Sequence, residues 1–498
     1  MSRLALTRFV VPLGVAAAFL VCSSGCSKPE PPIVIWIEVD TLRADALGCY
    51  GNAMVGENGA TASPNVDALA RDSVRFDHAY SAAPWTIPSL VTQLSGKWPW
   101  EHGETRLLEP IGEAHTELVP LLRSHGVRTA GVMTNFVATS KQGFERGFER
   151  WDDSLAKGHD GSFAEPALAQ LLAFGDELRA DAPGGLLLFG WLFEPHYRYE
   201  AHPGLRFGPG YGDAASTPYA GSLKGDEELN ALLRERAQLT DADRAFLRGN
   251  YQSEIAELDR ALGLFVAGLK ERGLYDRAWI VFTADHGEEV LDRGWIGHSV
   301  TLHDELVRVP LLVKPPRAVD AKLRGQACDA FVSLIDLPAT LLAMATGRDP
   351  DRAKLELGHS RSLVPTIVDG AQPERRWLYL HTDFAPVVKD DLAGEKSADQ
   401  WGVIDAQRRL KWIVDRKDTL PRARLFDLAA DPGELHDLSA APKWSSVLVE
   451  FQRLRALVPA PLASDVPAPF WVPEDAWRPS GFAVGDRTGL GPGFGAVR

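Results

Sequence analysis

The sequence predicts an α/β fold in which buried strands alternate with amphipathic helices. Nearly continuous apolar runs at residues 33–39, 186–192 and 278–283 are typical of strands inside a parallel sheet. Between them lie helical patterns, the longest over residues 241–272, where apolar residues recur on one side until Gly273. From about residue 375 the pattern changes to short strand-like runs, which indicate a small antiparallel C-terminal subdomain.

The remaining elements are predicted from the same periodicities. Strands are predicted at 33–39, 128–134, 186–192, 278–283, 307–313, 377–380, 402–405, 410–414 and near 424–428. Helices are predicted at 64–76, just after 86, at 116–125, 163–179, 241–272, 330–345 and 445–457. Residues 200–238 are rich in Gly, Pro and Tyr, and we expect them to form a surface excursion near the mouth of a binding site.

The first residues have the pattern of an export signal. Arg3 and Arg8 precede an apolar run over residues 9–21 that is too short for a retained membrane span, and small residues precede Cys26. This end resembles a bacterial lipoprotein leader with Cys26 as the lipidated residue. We therefore expect an exported protein of the cell envelope, anchored to the membrane through an N-terminal lipid.

These patterns divide the chain into five parts. They are a leader (1–25), a tether (26–32), a catalytic domain (33–370), a C-terminal subdomain (371–458) and a Pro/Gly-rich tail (459–498). The remaining thiols, Cys49 and Cys328, are expected to be ordinary buried thiols.

The composition excludes some partners. A net charge of −14 and the lack of any Lys/Arg-rich run argue against a nucleic-acid surface. Any anionic substrate would therefore need local positive charge, which a metal ion supplies most simply.

Polar side chains follow two of the predicted core strands. Asp40 comes directly after residues 33–39, and Asp285 and His286 come directly after residues 278–284. In open α/β sheets ligands gather at the carboxyl ends of strands, and a carboxylate beside an imidazole is a metal-binding pair. The competing interpretations are an Asp that caps a turn and a surface loop that carries Asp and His.

Thr86 is the candidate nucleophile. The helix predicted just after it places Thr86 at the N-cap, and Pro88 in its first turn is compatible with that start. A helix N-terminus offers unpaired N–H groups and a positive dipole end to an anionic ester. On local pattern alone, a threonine that simply caps the helix remains the simpler interpretation.

Two further histidines are candidate pocket residues. His196 lies in Glu194-Pro195-His196, after the strand at 186–192, and His298 follows His286 by twelve residues. Each could donate to substrate oxygen, protonate a leaving group or bind a second metal, and a structural histidine is the equal alternative. Glu194 is a weaker candidate for a second metal.

Several ordered motifs together resemble the sulfatase family within the alkaline phosphatase superfamily, over residues 33–440. The motifs are VDTLRAD (39–45), LGCYG (47–51), APWTIPS (83–89), EPH (194–196), TADHGEE (283–289), LVRVP (306–310), LFDL (425–428) and DPGE (431–434). The resemblance implies a mixed sheet between helices, with a divalent metal at the strands' carboxyl ends. It implies Asp40, Asp285 and His286 as metal ligands and Thr86 at the nucleophile position, bound to the same metal.

Three departures separate this chain from true sulfatases. Thr86 stands where they carry the cysteine or serine that becomes formylglycine, an aldehyde that threonine cannot yield. Leu90 stands where their signature has an arginine, and Thr41 replaces the second of two aspartates. Superfamily members with an unmodified threonine, such as nucleotide pyrophosphatases and lipoteichoic-acid-type phosphotransferases, use it directly on phosphorus.

The sequence therefore predicts a metal-dependent hydrolase or transferase of phosphate mono- or diesters with Thr86 as nucleophile. We expect the metal to be Zn or Mn, because His286 introduces an imidazole ligand, with Mg or Ca as alternatives. The substrate would be a small-molecule, glycan-linked or lipid-linked anionic ester. The alternatives are a sulfatase that works without formylglycine and a noncatalytic envelope lipoprotein that binds ligands.

Overall fold

The computed structural model describes residues 30–157, 163–208, 226–348, 357–384, 398–415 and 423–457. The predicted leader (1–25), Cys26, residues 209–225 of the predicted excursion and the predicted tail (459–498) lie outside these ranges.

Fourteen strands lie within the described residues. They are Ile33–Val39 (β1), Val74–Tyr80 (β2), Arg128–Met133 (β3), Arg150–Asp152 (β4), Leu186–Leu192 (β5), Ala278–Ala284 (β6), Glu289–Val290 (β7), Ile296–Gly297 (β8), Arg308–Lys314 (β9), Ala327–Ser333 (β10), Trp377–Thr382 (β11), Gln400–Asp405 (β12), Leu410–Asp415 (β13) and Ala423–Asp427 (β14).

The α-helices are Pro64–Arg71 (α1), Thr86–Ser95 (α2), Pro99–His102 (α3), Leu118–Ser124 (α4), Ala164–Leu178 (α5), Asp226–Glu235 (α6), Asp241–Glu271 (α7), Asp304–Val307 (α8), Leu337–Thr346 (α9), Val364–Asp369 (α10) and Ser445–Leu457 (α11). Within the described ranges, no helix combines the length and apolar character that crossing a membrane requires.

The central sheet has eight strands in the order β10-β2-β9-β6-β1-β5-β3-β4. Strand β1 runs parallel to β5 and β6, while β9 runs antiparallel to its neighbours β2 and β6. All seven residues of β1, β5 and β6 are buried, which explains their continuous apolar sequences. Helices α1, α5 and α7 form one contacting group and α2, α4 and α9 another, and these groups flank the sheet. The predicted α/β class and mixed sheet are confirmed.

The C-terminal strands β11-β12-β13-β14 form the predicted antiparallel sheet. A buried ion-pair network ties it to the segment before β9. The fully buried Lys411 lies 2.7 Å from both Asp304 and Glu434, and Nδ1 of His303 contacts the second carboxylate oxygen of Glu434. Each charge of this network therefore has an opposite partner within the interior.

Two predicted helices were too long. The predicted helix 64–76 ends at Arg71, and residues 74–76 begin β2; the predicted helix 330–345 begins at Leu337, and residues 330–333 end β10. Strands β2 and β10 pair with each other in parallel, so sheet hydrogen bonds override their helical periodicity.

Part of the predicted excursion, residues 226–235, is helix α6. Cys49 and Cys328 are free thiols, and Cys328 is buried while Cys49 is only partly so.

Candidate active site

Parallel pairing brings four strand ends to one edge of the sheet. Val39, the last residue of β1, pairs with Leu192 of β5 and Ala284 of β6, and Met133 of β3 pairs with Trp191. The segments that follow carry Asp40, Asn135, His196, Asp285 and His286. This shared edge is where open α/β sheets bind their ligands.

Asp40, Asp285 and His286 form a buried cluster. Each is 0% exposed, and one ligand atom from each lies within 4.8 Å of the others. Nε2 of His286 is 3.4 Å from Oδ1 of Asp40 and 3.5 Å from Oδ2 of Asp285. The structure therefore brings together the three residues predicted as metal ligands.

The two carboxylates each direct one unpaired oxygen into this cluster. Oδ2 of Asp40 accepts from Asn135 Nδ2 at 2.8 Å, and Oδ1 of Asp285 accepts from the backbone N–H groups of His286 and Thr41 at 2.8 and 3.3 Å. Oδ1 of Asp40 and Oδ2 of Asp285 are buried without a hydrogen-bond partner among the described residues. A buried carboxylate oxygen without a donor is costly, and a cation would satisfy both.

The orientation of His286 also fits a metal ligand. Its Nδ1 donates to the carbonyl oxygen of Gly287 at 2.8 Å, which fixes the tautomer and leaves the lone pair of Nε2 directed at the carboxylates. Two carboxylate oxygens and one imidazole nitrogen form a donor set suited to Zn²⁺ or Mn²⁺. The cluster therefore fits a divalent cation.

Burial shifts the pKa values of this cluster in the directions expected when no cation compensates the charges. Desolvation, followed by the charges of Asp285 and Glu288, raises the pKa of Asp40 well above its ordinary value. Desolvation raises the pKa of Asp285 to about 7 and lowers the pKa of His286 well below 6.5. The fold thus holds polar groups at a cost to stability, as is common at functional sites.

Thr86 is the first residue of α2, and Trp85 is the N-cap. The predicted N-cap was therefore wrong by one residue, because the chain turns into the helix at the extended Trp85. Oγ1 of Thr86 lies 3.4 Å from Nε2 of His286, and the residue is 5% exposed. As the first residues of the helix, Thr86 and Ile87 have N–H groups without intrahelical partners, and the positive end of the helix dipole lies beside the hydroxyl.

Side chains on α2 attach the helix to the loop that carries Asp285. Ser89 Oγ donates to the carbonyl oxygen of Asp285 at 2.6 Å, and Gln93 Nε2 donates to Ser89 Oγ at 3.2 Å and to the buried Glu38 at 2.7 Å. Leu90 is fully buried, at the position where the sulfatase signature has an arginine. These bonds fix the position of Thr86 relative to the cluster.

His196 and His298 lie beside the cluster. The His298 ring is 4.6 Å from the His286 ring and 5.0 Å from the His196 ring. Nδ1 of His298 contacts Oε1 of the fully buried Glu288 at 3.0 Å, whereas Nδ1 of His196 contacts the carbonyl oxygen of Tyr197 at 2.8 Å. In His298 the contact through Nδ1 therefore leaves Nε2 as the nitrogen that can meet a ligand.

Glu194, the weaker candidate for a second metal, directs one carboxylate oxygen toward the N-terminus of helix α5. That oxygen accepts from the backbone N–H groups of Phe163 and Ala164, the latter at 3.1 Å. A carboxylate at a helix N-terminus is stabilised by the dipole. This contact gives Glu194 a structural role.

Sequence reasoning missed Asn135 and Glu288. Asn135 follows β3 at the same sheet edge as Asp40, and Glu288 lies two residues after His286. The strand-end rule could have identified both, but their partners, Asp40 and His298, became visible only in the folded chain.

Comparison with known proteins gives a consistent picture. The sulfatase family model matches residues 32–347. Human N-acetylgalactosamine-6-sulfatase is 24% identical over 497 residues and covers 87% of each chain. The multifunctional alkaline phosphatase superfamily protein PehA of Trinickia caryophylli is 29% identical over 219 residues, which span 43% of this chain and 40% of PehA.

Solved structures share the fold. A protein whose structure was solved in complex with its substrate D-glucosamine-2-N,6-O-disulfate has a TM-score of 0.66 at 19% identity, and the match covers 85% of this chain and 96% of that protein. The phosphonate monoester hydrolase of Agrobacterium radiobacter has a TM-score of 0.65 at 21% identity, with 85% and 95% covered.

Proposed function

Because the chain belongs to the sulfatase family, we propose that it is a metal-dependent hydrolase or transferase of phosphate mono- or diesters with Thr86 as nucleophile. The observation that carries this proposal is the Thr86 hydroxyl, 3.4 Å from Nε2 of His286 and at the edge of the buried ligand cluster. A threonine cannot form the aldehyde that sulfatases use, so the hydroxyl itself must attack.

Asp40, Asp285 and His286, together with Thr86, would hold the divalent cation. Zn or Mn is favoured, and Mg or Ca is the alternative, since the donor set contains one imidazole nitrogen. When bound, the cation supplies positive charge that lowers the pKa of a coordinated hydroxyl and offsets the substrate's negative charge.

Each step of the proposed reaction is assigned to residues of the chain. Oγ1 of Thr86 gives its proton to solvent water and attacks phosphorus, the bond to the leaving oxygen breaks, and a phosphothreonine results. His298 or His196 gives a proton from Nε2 to the leaving oxygen. A water or an acceptor hydroxyl then gives a proton to that histidine and attacks the phosphothreonine. This releases the Thr86 oxygen, which takes up a proton from solvent, while the N–H groups of α2 stabilise the non-bridging oxygens.

Glu288 would orient His298 in this reaction. Its buried carboxylate accepts from Nδ1, so that Nε2 faces the substrate and a positive charge on the ring is stabilised. His298 is therefore the stronger candidate for the leaving-group acid, because its Nδ1 faces a carboxylate, whereas Nδ1 of His196 faces a neutral carbonyl oxygen.

A sulfatase that works without formylglycine is the second candidate. It is favoured by the match to human N-acetylgalactosamine-6-sulfatase over 87% of this chain. Sulfate and phosphate esters present similar tetrahedral anions, so the same site could take either one.

We also propose that the enzyme acts at the cell envelope, held by a lipid on Cys26. The support is the pattern of residues 1–26 in the sequence. Growth with a radioactive fatty acid should label the wild-type protein and leave Cys26→Ser unlabelled.

The function is tested with purified full-length protein loaded with Zn²⁺ or Mn²⁺. Nitrophenyl phosphate, a nitrophenyl phosphodiester and nitrophenyl sulfate are compared in wild type and Thr86→Ala. We expect phosphoester turnover that falls at least about a thousandfold in Thr86→Ala and is largely retained in Thr86→Ser. Thr92→Ala, a buried threonine on the same helix, serves as the matched control.

Turnover that survives in Thr86→Ala would contradict the nucleophile assignment. Sulfate turnover above phosphate turnover, lost in Thr86→Ala, would favour the second candidate. Turnover of none of the three esters would favour a specialised transferase or a binding protein.

A further inference from the structure

A cavity lined by charged side chains lies outside the candidate active site. Its volume is about 250 Å³, and four carboxylates and four arginines line it, the arginines being Arg43, Arg248, Arg293 and Arg308. No residue that lines it takes part in the metal-ligand cluster or in the proposed reaction. The cavity is therefore a separate candidate for a binding site.

Two of the carboxylates are bound by arginines that line the same cavity. Arg43 donates to both oxygens of Asp45, at 2.8 and 2.7 Å. The two oxygens of Asp292 accept from Arg43 at 2.6 Å and from Arg248 at 3.4 Å. These charges are therefore compensated within the protein.

The other two carboxylates, Asp304 and Glu305, also have donors for both of their oxygens. Oδ1 of Asp304 accepts from Lys411 at 2.7 Å, and its Oδ2 accepts from the hydroxyl of Tyr80 at 3.3 Å. Arg293 contacts the two oxygens of Glu305 at 3.0 and 3.4 Å. Burial raises the pKa of Glu305 to about 7, so its negative charge is incomplete at neutral pH. None of the four carboxylates therefore requires a cation from solvent.

Arg308 and Arg248 line the cavity with donors that are not used. Nε of Arg308 donates to the carbonyl oxygen of Asp77 at 3.0 Å, and within the described residues neither of its terminal nitrogens has a hydrogen-bond or ion-pair partner. Arg248 donates through Nε to the carbonyl oxygen of Val290 at 3.2 Å and through Nη2 to Asp292, which leaves Nη1. One guanidinium comes from strand β9 and the other from helix α7. Two elements therefore offer N–H groups to the same cavity.

A tetrahedral oxyanion matches these donors. A guanidinium binds two oxygens of a carboxylate, phosphate or sulfate through parallel N–H bonds. A carboxylate has no third oxygen for a second arginine, whereas a phosphate or sulfate group has. The volume of about 250 Å³ is below the ~300–1,000 Å³ of pockets for drug-sized ligands, which favours a small ligand.

We propose that this cavity is a second binding site, which holds a phosphate or sulfate group on Arg308 and Arg248. The ligand is the free ion or the terminal group of a small ester. Arg43, which also lines the cavity, donates to the backbone carbonyl of Glu288 at 3.2 Å, and the carboxylate of Glu288 contacts His298. A ligand in the cavity would lie beside a support of the candidate leaving-group acid. The inference goes beyond the proposed function and does not depend on it.

Sulfate binding to metal-free protein tests this site apart from the metal-ligand cluster. The full-length protein is stripped of metal with EDTA, desalted and dialysed to equilibrium against radioactive sulfate at constant ionic strength. Wild type should show a single saturable site, and Arg308→Gln should weaken binding at least about tenfold, because the guanidinium and its charge are lost. Arg317→Gln is the matched control and should bind like wild type, since the Arg317 side chain is 82% exposed beyond the other end of β9.

Competition at equal ionic strength identifies the ligand. Phosphate should displace the radioactive sulfate, and acetate should not, because acetate has only two oxygens in one plane. Displacement by both phosphate and glycerol phosphate would support a site for free and esterified oxyanions. Displacement by phosphate alone would support the site and restrict its ligand to the free ion.

Four results would overturn the inference. These are no sulfate binding by wild type, equal binding by Arg308→Gln, an equal loss of binding in Arg317→Gln, and displacement by acetate as efficient as by phosphate. If urea unfolding shows that Arg308→Gln does not fold, Arg248→Gln decides: binding weakened at least about threefold supports the site, and unchanged binding overturns it. Failure of the proposed function would leave these results unchanged, because neither the metal nor Thr86 takes part in them.

Discussion

Replacing Asp285 with asparagine should stabilise the metal-free protein at alkaline pH. Burial raises the pKa of this carboxyl from an ordinary 3.8 to about 7, so the folded state binds a proton that the unfolded state has already released between these pH values. The free energy of unfolding therefore falls as pH rises from about 4 to about 7. Asparagine removes the buried charge and can keep the bonds from the N–H groups of His286 and Thr41.

The magnitude follows from the pKa values. At 1.36 kcal/mol per pKa unit, a rise from 3.8 to about 7 costs the wild type about 4 kcal/mol at pH 8, which sets the upper limit of the gain in Asp285→Asn. At pH 5 the folded carboxyl is protonated, so the difference between the two proteins should shrink by about 2–3 kcal/mol. Metal works in the opposite direction, because Zn²⁺ at a thousand times its Kd adds about 4 kcal/mol to a protein that binds it and so offsets the gain of the variant.

The assay is urea unfolding in EDTA at pH 5 and pH 8, repeated at pH 8 with excess Zn²⁺. Asp285→Asn should be the more stable protein in EDTA, and excess zinc should remove this difference. Thr86→Val, which changes the same cluster without changing its charge, should show no such dependence on pH. If Asp285→Asn is less stable than wild type in EDTA at pH 8, or differs from it equally at both pH values, the reasoning is refuted.

Three further substitutions test the supports of the site and of the C-terminal sheet. Asn135→Ala should weaken zinc binding about 10–100-fold, because Asp40 loses its orienting donor; an unchanged Kd in a chelator competition would count against this role. Glu288→Gln should lower kcat about a hundredfold with little change in KM, because the His298 ring loses its anionic acceptor; steady-state kinetics with an equal rise in KM would speak for a structural effect. Glu434→Gln should lower the free energy of unfolding by about 3 kcal/mol at pH 7, since Lys411 and His303 hold the pKa of Glu434 at about 2, below its ordinary 4.5. The stability that a lowered carboxyl pKa contributes is present above pH 4.5 and is lost toward pH 2. If wild type and Glu434→Gln still differ in urea unfolding at pH 2, this account of Glu434 is disproved.

Local sequence determined the core of this protein and the position of its predicted ligands. Strands β1, β5 and β6 were predicted within one residue, because a strand that is buried on both faces is apolar at every position. Since parallel strands end at one edge, the polar residues after β1 and β6 could be assigned to one site before their distances were known. The ordered motifs added the family, and with it the mixed sheet.

Tertiary structure decided what depends on partners distant in sequence. Strands β2 and β10 pair with each other, although the paired residues Arg75 and Ala327 are 252 positions apart in the sequence. Neither strand could therefore be recognised from its own periodicity. The hydrogen-bond partners of Asn135 and Glu288, which are Asp40 and His298, were likewise set by the fold. Periodicity reports how a segment is buried, but which side chains meet is decided by how the chain closes over long loops.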